Sequence, residues 1–267
     1  MKVFGLGFPK TGTTSLEGML HLLGVRHCVS HWNQANTNFL VHAWKSKDYA
    51  EIKRVINYYD GFADLPWGGT DLYLFLLENY PKEKFILTER DPENWFNSLK
   101  NMVSKFMLPE NEVLNFHYFS GWYGFVNWIE TFFDVPAISD LYKDKIISKY
   151  LLTNQQIKDE CKRKNIELLI VNTTQLNEWG PVCSHLGLPI PKIDVPRFNP
   201  AAQKGQIDQE EAFVLIKFYL KINKLDAASH LLNQLINSGI QASEVDILSA
   251  KLKSAIAVNE ALQVKSS

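Results

Sequence analysis

Gly7 and Gly12 bracket the run Phe8-Pro9-Lys10-Thr11, and Thr13-Thr14 follow at once. Paired glycines at this spacing let a backbone turn back on itself and present N–H groups to an anion. Lys10 adds a cation, and Thr11, Thr13 and Thr14 add hydroxyl donors. The chemistry this composition suits is the holding of a phosphate. The glycine spacing is that of G-x-x-x-x-G-K-[ST], but Thr13 stands where the lysine should follow and Lys10 sits inside the loop. No clear strand ending in a magnesium-binding aspartate follows. A nucleoside triphosphate held through magnesium is therefore disfavoured.

Such a loop needs a strand before it and a helix after it. Residues 2–7 (KVFGLG) are a short apolar strand. Leu16, Met19, Leu20 and Leu23 then follow the i, i+3, i+4, i+7 pattern of a helix that stops at Gly24. Residues 84–89 (KFILTE) form a second strand. Asp91 caps the next helix with Pro92 at its first position, and Trp95, Leu99, Met102, Val103 and Phe106 form its apolar face. Residues 166–173 (IELLIVNT) form a third buried strand after a polar helix from about 154 to 165. Glu178–Leu186 reads as a short helix ended by Gly187 and Pro189. Strands alternating with helices predict an α/β fold, a P-loop-type parallel sheet flanked by helices.

The aromatic stretch 116–133 reads first as core packing and second as an apolar acceptor pocket or lid. Residues 195–206 leave the main domain, which spans 1–206. Residues 207–267 form a small all-α extension. Ala212, Leu215, Ile216 and Tyr219 line one helix there, and Ala227, Ala228, Leu231, Leu232 and Leu235 line the next, closed by Gly239. Residues 243–263 supply a third. The first two resemble a single tetratricopeptide-type hairpin, which cannot form a solenoid alone. It suits packing on the main domain, homo-oligomer formation or a protein contact.

The 267 residues, 46% of them hydrophobic, suffice for one substantial core and an appendage. A net charge of −1 argues against a general nucleic-acid or membrane-surface binder. Cys28, Cys161 and Cys183 are odd in number and lack metal-ligand spacing, as expected of reduced thiols in the cytoplasm. No signal-peptide pattern and no run of ~18 apolar residues is present, so no membrane span is expected.

Three stretches, in order, carry a resemblance. FPKTGTTSL resembles the 5′-phosphosulfate loop of the sulfotransferases that use 3′-phosphoadenosine 5′-phosphosulfate (PAPS). ERDPENWFNSLKN, residues 89–101, is similar to that family's 3′-phosphate motif, with Arg90 after a strand and Ser98 eight positions later. Ser98 lies nearly two helical turns beyond the cap Asp91, on the same side as the strand end that carries Arg90. An arginine fork with a hydroxyl suits a terminal phosphate. The third stretch is residues 177–199, where Trp179, Pro181, Cys183, Leu186, Gly187 and Pro189 match a family run closely and residues 195–199 match loosely. The departure is a family Arg-Lys-Gly phrase, of which only Gln203-Lys204-Gly205 is left; Arg197 is an equal substitute for Lys204 at the 3′-phosphate.

The resemblance implies roles. Pro9, Lys10, Thr11, Gly12, Thr13 and Thr14 hold the 5′-phosphosulfate, with Lys10 on the bridging oxygen. Arg90 and Ser98, with Arg197, hold the 3′-phosphate. PAPS is the co-substrate, 3′-phosphoadenosine 5′-phosphate (PAP) the product, and no metal is required. The acceptor is a small, apolar or aromatic alcohol, phenol or amine that needs a general base. Asp64, in a turn with apolar neighbours, suits that role because burial raises a carboxyl pKa. Asp64-Leu65-Pro66 also matches an Asp-x-Pro phrase whose aspartate looks like the base in one branch of the family. His31 is the second candidate, because other branches use a histidine, and His27 is weaker. The alternative function is a P-loop small-molecule kinase using ATP and magnesium. A non-enzymatic interaction protein built on the C-terminal helices comes third.

Overall fold

The structure, a computed structural model, describes residues 1–28, 34–106, 123–172, 178–193, 195 and 243–264, with seven isolated positions between 216 and 236. It divides into two compact units, Met1–Val195 and Pro196–Ser267.

The first unit is α/β. Its elements run β1 (Val3–Gly5), α1 (Thr13–Leu22), β2 (His27–Cys28), α2 (Gln34–Lys45), α3 (Tyr49–Tyr58), β3 (Gly61–Phe62), α4 (Leu72–Asn79), β4 (Lys84–Thr88) and α5 (Pro92–Phe106). Then come α6 (Tyr123–Trp128), a π-helical turn Ile129–Phe133, a 3₁₀ turn Asp140–Tyr142, α7 (Lys143–Arg163), β5 (Leu168–Val171) and α8 (Gly180–Leu186). The five strands are all parallel, in the order β2-β3-β1-β4-β5.

That order positions the site. After β1 the chain builds outward to β2 and returns to β3 on one side, then crosses to β4 on the other. The reversal lies between β1 and β4, and ligands of open α/β sheets bind beyond the carboxyl ends of strands at such a point. Three strand ends thus become neighbours: β3 leading to Asp64, β1 leading to the glycine loop, and β4 leading to Arg90.

Alternation along the strands separates two apolar layers. Val3, Ile86 and Ala63 face Leu16, Met19 and Leu20 of α1 and Val182 of α8. Phe4, Phe62, Phe85 and Leu87 belong to the opposite layer with Trp95, Leu99 and Tyr150. Each fully buried side chain of this size contributes about 1.5–3 kcal/mol. Local signals place the helices as read from the sequence. Asp91 Oδ1 accepts from the Asn94 N–H at 2.9 Å to cap α5, and Gly187 closes α8 at φ 67.

The polar helix expected from about 154 starts earlier, at Lys143. Its buried stripe of Ile146, Tyr150, Thr153, Ile157 and Cys161 is narrow, so polar residues dominate the sequence around it. The described part of the aromatic stretch packs in the core: Phe132 and Phe133 lie 5.7 and 6.2 Å from the ring of Phe8. Residues 116–122 lie outside the described residues. His185 is buried on α8, with Nδ1 3.3 Å from Glu167. Cys28, Cys161 and Cys183 are free and buried. No helix among the described residues is long and apolar enough to cross a membrane.

In the second unit, helix α9 (Ser243–Val264) buries Val245, Leu248 and Leu252 along one face. Of the hairpin expected before it, only Ile216, Leu220, Leu225, Ala228, Ser229, Leu232 and Ile236 are described, each of them helical. The rest of that hairpin and the segment 196–206 lie outside the described residues.

Candidate active site

The loop from Leu6 to Gly12 is built to turn its carbonyls away from an anion. Lys10 and Gly12 both adopt the left-handed region, at φ 73 and 101. For Lys10 this costs about 1–2 kcal/mol, so the surroundings must hold it there. Thr11 Oγ1 donates to the Phe8 carbonyl at 2.6 Å. Trp95 Nε1 donates to the Pro9 carbonyl at 2.9 Å. Arg90 Nη1 donates to the Lys10 carbonyl at 3.3 Å. Three successive oxygens that would repel a phosphate are each given a donor. Gly12 provides no side-chain cap to α1, so the first-turn amides have no intrahelical acceptor and, with the helix dipole, suit an anion. This donor set fits a phosphosulfate.

The three threonines divide their work. Thr11 is fully buried, and its hydroxyl also meets Thr88 Oγ1 at 2.6 Å, which joins the loop to the end of β4. Because Thr11 donates to Phe8, Thr88 donates to Thr11. Thr13 Oγ1 donates to Asp64 Oδ2 at 2.7 Å. Both hydroxyls are thus engaged within the protein, while Thr14 is half-buried at the start of α1. Gly7 is obligatory for closeness: a Cβ there would lie 1.8 Å from Thr88 Oγ1.

Asp64 follows β3 in a turn that lies directly under the loop. A Cβ on Gly68 would lie 2.0 Å from the carbonyl oxygen of Gly7. Trp128 Nε1 donates to the Gly69 carbonyl at 2.6 Å and closes the turn from the far side. The Asp64 backbone is left-handed at φ 60, and the Leu65–Pro66 peptide is cis. Asp64 is 7% exposed. Oδ1 accepts the Leu65 N–H at 2.8 Å, as Oδ2 accepts Thr13. Burial raises its pKa above the ordinary carboxylate value; the Thr13 and Leu65 hydrogen bonds, then the charges of Lys10 and His27, oppose that rise.

Beneath Asp64 lies a polar pair that sequence reasoning did not find. Glu17 sits one turn after Thr13 on α1, and its Oε1 approaches His27 Nε2 to 2.9 Å, with side-chain exposures of 1% and 6%. The His27 ring lies over Gly61, where a Cβ would come within 3.0 Å of Nδ1. Burial pushes this imidazole down to about 3, against the pull of Asp64. Burial, with help from Glu17, pushes the neighbouring Cys28 thiol up to about 12. Single polar letters among apolar ones carry no signal of their partners.

Arg90 leaves β4 half-buried, beside the loop. Ser98 is half-buried on α5. Trp67 is fully buried against Phe62, with ring centroids 4.6 Å apart. His31 and Arg197, like Lys204, lie outside the described residues. The structure therefore brings together Lys10, Gly12, Thr13, Asp64 and Arg90, from three adjacent strand ends.

A family model described as a sulfotransferase domain matches residues 2–204 of the chain. No curated protein matches it.

Proposed function

The chain belongs to the sulfotransferase domain family, and from that premise we propose that it moves a sulfuryl group from PAPS to a hydroxyl or amine of a small, apolar or aromatic acceptor. The observation that carries the reading is the 2.7 Å bond from Thr13 to Asp64, which attaches a buried carboxylate of raised pKa to the anion loop itself. A base for the acceptor and a cradle for the donor then share one rigid unit.

Bound PAPS supplies the sulfuryl group and the leaving phosphate. Backbone amides from Gly12 to Thr14 hold the 5′-phosphate, with Pro9 and Thr11 shaping the loop around it. Lys10 meets the charge that builds on the bridging oxygen as its bond to sulfur breaks. Asp64 takes the acceptor's proton as the new bond to sulfur forms. Arg90 and Ser98 hold the 3′-phosphate, and Arg197 is the further candidate there. Fixed charges aimed at developing charge do most of the work in such an in-line displacement. His31 remains the second candidate for the base. Residues 207–267 are an accessory extension, and a soluble 1–206 truncation is expected to keep sulfotransfer.

The test is calorimetric titration with PAP in the absence of magnesium, with AMP and ATP–magnesium alongside. Binding of PAP far tighter than AMP supports the reading, and sulfotransfer from PAPS to a panel of phenols, alcohols and amines completes it. Binding of ATP–magnesium without PAP binding overturns it in favour of a kinase, which the family assignment does not favour.

A further inference from the structure

Tyr150 lies on α7, far in sequence from every motif described above, and is 1% exposed. Its hydroxyl accepts the Arg90 N–H at 3.0 Å and donates to the Arg90 carbonyl at 2.9 Å. One side-chain oxygen thus binds both backbone groups of a single residue. The location explains why this is needed. The Glu89 N–H still pairs with the Val171 carbonyl across the sheet, but Arg90 is the next residue out. A hydroxyl has one proton and two lone pairs, so it can accept from the N–H and donate to the carbonyl at once.

The ring of Tyr150 joins the same assembly. It stacks on Trp95 at 4.1 Å and 14°, and meets Phe8 edge-on at 5.0 Å. Trp95 in turn holds the Pro9 carbonyl, and Phe8 precedes it in the loop. A phenylalanine would supply all of this packing. Only the hydroxyl addresses Arg90.

We infer that Tyr150 is a positioning residue whose hydroxyl fixes the backbone of Arg90, keeps its guanidinium against the loop carbonyl of Lys10, and so sets the preference for a nucleotide bearing a 3′-phosphate. This inference rests on the PAPS reading above. Without the hydroxyl, the Arg90 N–H and carbonyl lose their partner, and a half-buried backbone pair that must find another drives local rearrangement. The guanidinium then no longer arrives pre-oriented.

The experiment compares PAP and AMP binding to wild type and Tyr150→Phe, with PAPS kinetics beside it. The expected result is a fall of about tenfold in PAP affinity with AMP affinity unchanged. KM for PAPS should rise by a similar factor while kcat holds within about twofold, the mark of lost uniform binding. In an Arg90→Lys background, Tyr150→Phe should no longer change the PAP-to-AMP ratio. Equal losses for PAP and AMP, an unchanged ratio, or additive effects with Arg90→Lys would each overturn the inference. Should Tyr150→Phe not fold, Tyr150→His carries the test: one ring nitrogen cannot both accept from and donate to Arg90, so the ratio should fall by about threefold, and an unchanged ratio counts against it. Failure of wild type itself to prefer PAP over AMP would remove the PAPS reading, which is a separate outcome.

Discussion

Thr13 and Asp64 are 51 residues apart in the chain and 2.7 Å apart in the fold. The bond links the first turn of the phosphate-loop helix to the carboxylate best suited to serve as a base. It also opposes the rise in pKa that burial imposes on Asp64.

The sign of the resulting pH dependence follows. A base must be ionised to act, and burial holds the Asp64 proton above the ordinary carboxylate value. Sulfotransfer should therefore rise with pH through that elevated value. Thr13→Val, which deletes an opposing hydrogen bond, should move the acid limb of kcat/KM upward, and Thr13→Ser should restore it. Asp64→Asn should keep PAP binding and lower turnover by about 10²-fold or more. Turnover within a few-fold of wild type would remove Asp64 from the role. Stability runs the other way. A carboxyl whose folded pKa is raised is most favourable to the fold when protonated, and that contribution is lost as pH rises through the folded value. Asp64→Asn should thus melt no lower than wild type at pH 8, as differential scanning calorimetry would show.

Lys10 is expected to act on the leaving oxygen rather than on ground-state binding alone. Lys10→Met should reduce kcat by about 10²–10³-fold and weaken PAP binding much less. Stopped-assay kinetics at saturating PAPS separate the two effects. A loss confined to KM would reassign Lys10 to simple binding.

His27 predicts acid sensitivity. Its imidazole is held down to about 3 by burial, well below the unfolded value. The unfolded chain takes up the proton first, so stability is fully present above about 6.5 and falls as pH drops below it. The slope is about 1.4 kcal/mol per pH unit, or ~2 kcal/mol between pH 6.5 and 5. Glu17 and Asp64 are the charged groups that face this ring. Urea unfolding of wild type and His27→Gln at pH 7 and 5 measures the difference. Equal losses in both proteins would mean that His27 titrates alike in the folded and unfolded chain, and a smaller loss in wild type would mean that Glu17 holds it protonated in the fold.

Two glycines separate steric from conformational cost. At Gly68 a Cβ would meet the carbonyl of Gly7 and the backbone of Leu6 at 2.0 and 2.8 Å. Gly68→Ala should cost about 3 kcal/mol and disturb PAP binding, since the phosphate loop itself must move. At Gly187 a Cβ meets nothing within 4 Å, but φ is 67. Gly187→Ala should cost only about 1 kcal/mol and leave PAP binding unchanged. Denaturant midpoints with parallel PAP titrations distinguish the two.

Features written in contiguous residues were legible before any fold was known. The strand–loop–helix around Gly7 and Gly12, the Asp91-Pro92 start of α5 and the Gly187 stop of α8 each depend on a cap, a left-handed glycine or an apolar period. The two-residue strands β2 and β3 were not legible, because so short a run carries no period. Neither was the early start of α7, whose buried stripe is interrupted by polar letters.

By itself, then, the sequence determined the alternation of strands with helices and offered Lys10, Asp64 and Arg90 as candidates beside a glycine loop suited to an anion. Tertiary structure decided which of these residues meet. The sheet order β2-β3-β1-β4-β5 sets three strand ends side by side. Bonds spanning 51, 60, 77 and 80 residues then assign Thr13 to Asp64, Tyr150 to Arg90, Thr11 to Thr88 and Arg90 to Lys10. The physical reason is that caps and periods act within a few residues, whereas a buried polar atom takes the partner that packing brings to it, however distant in the chain.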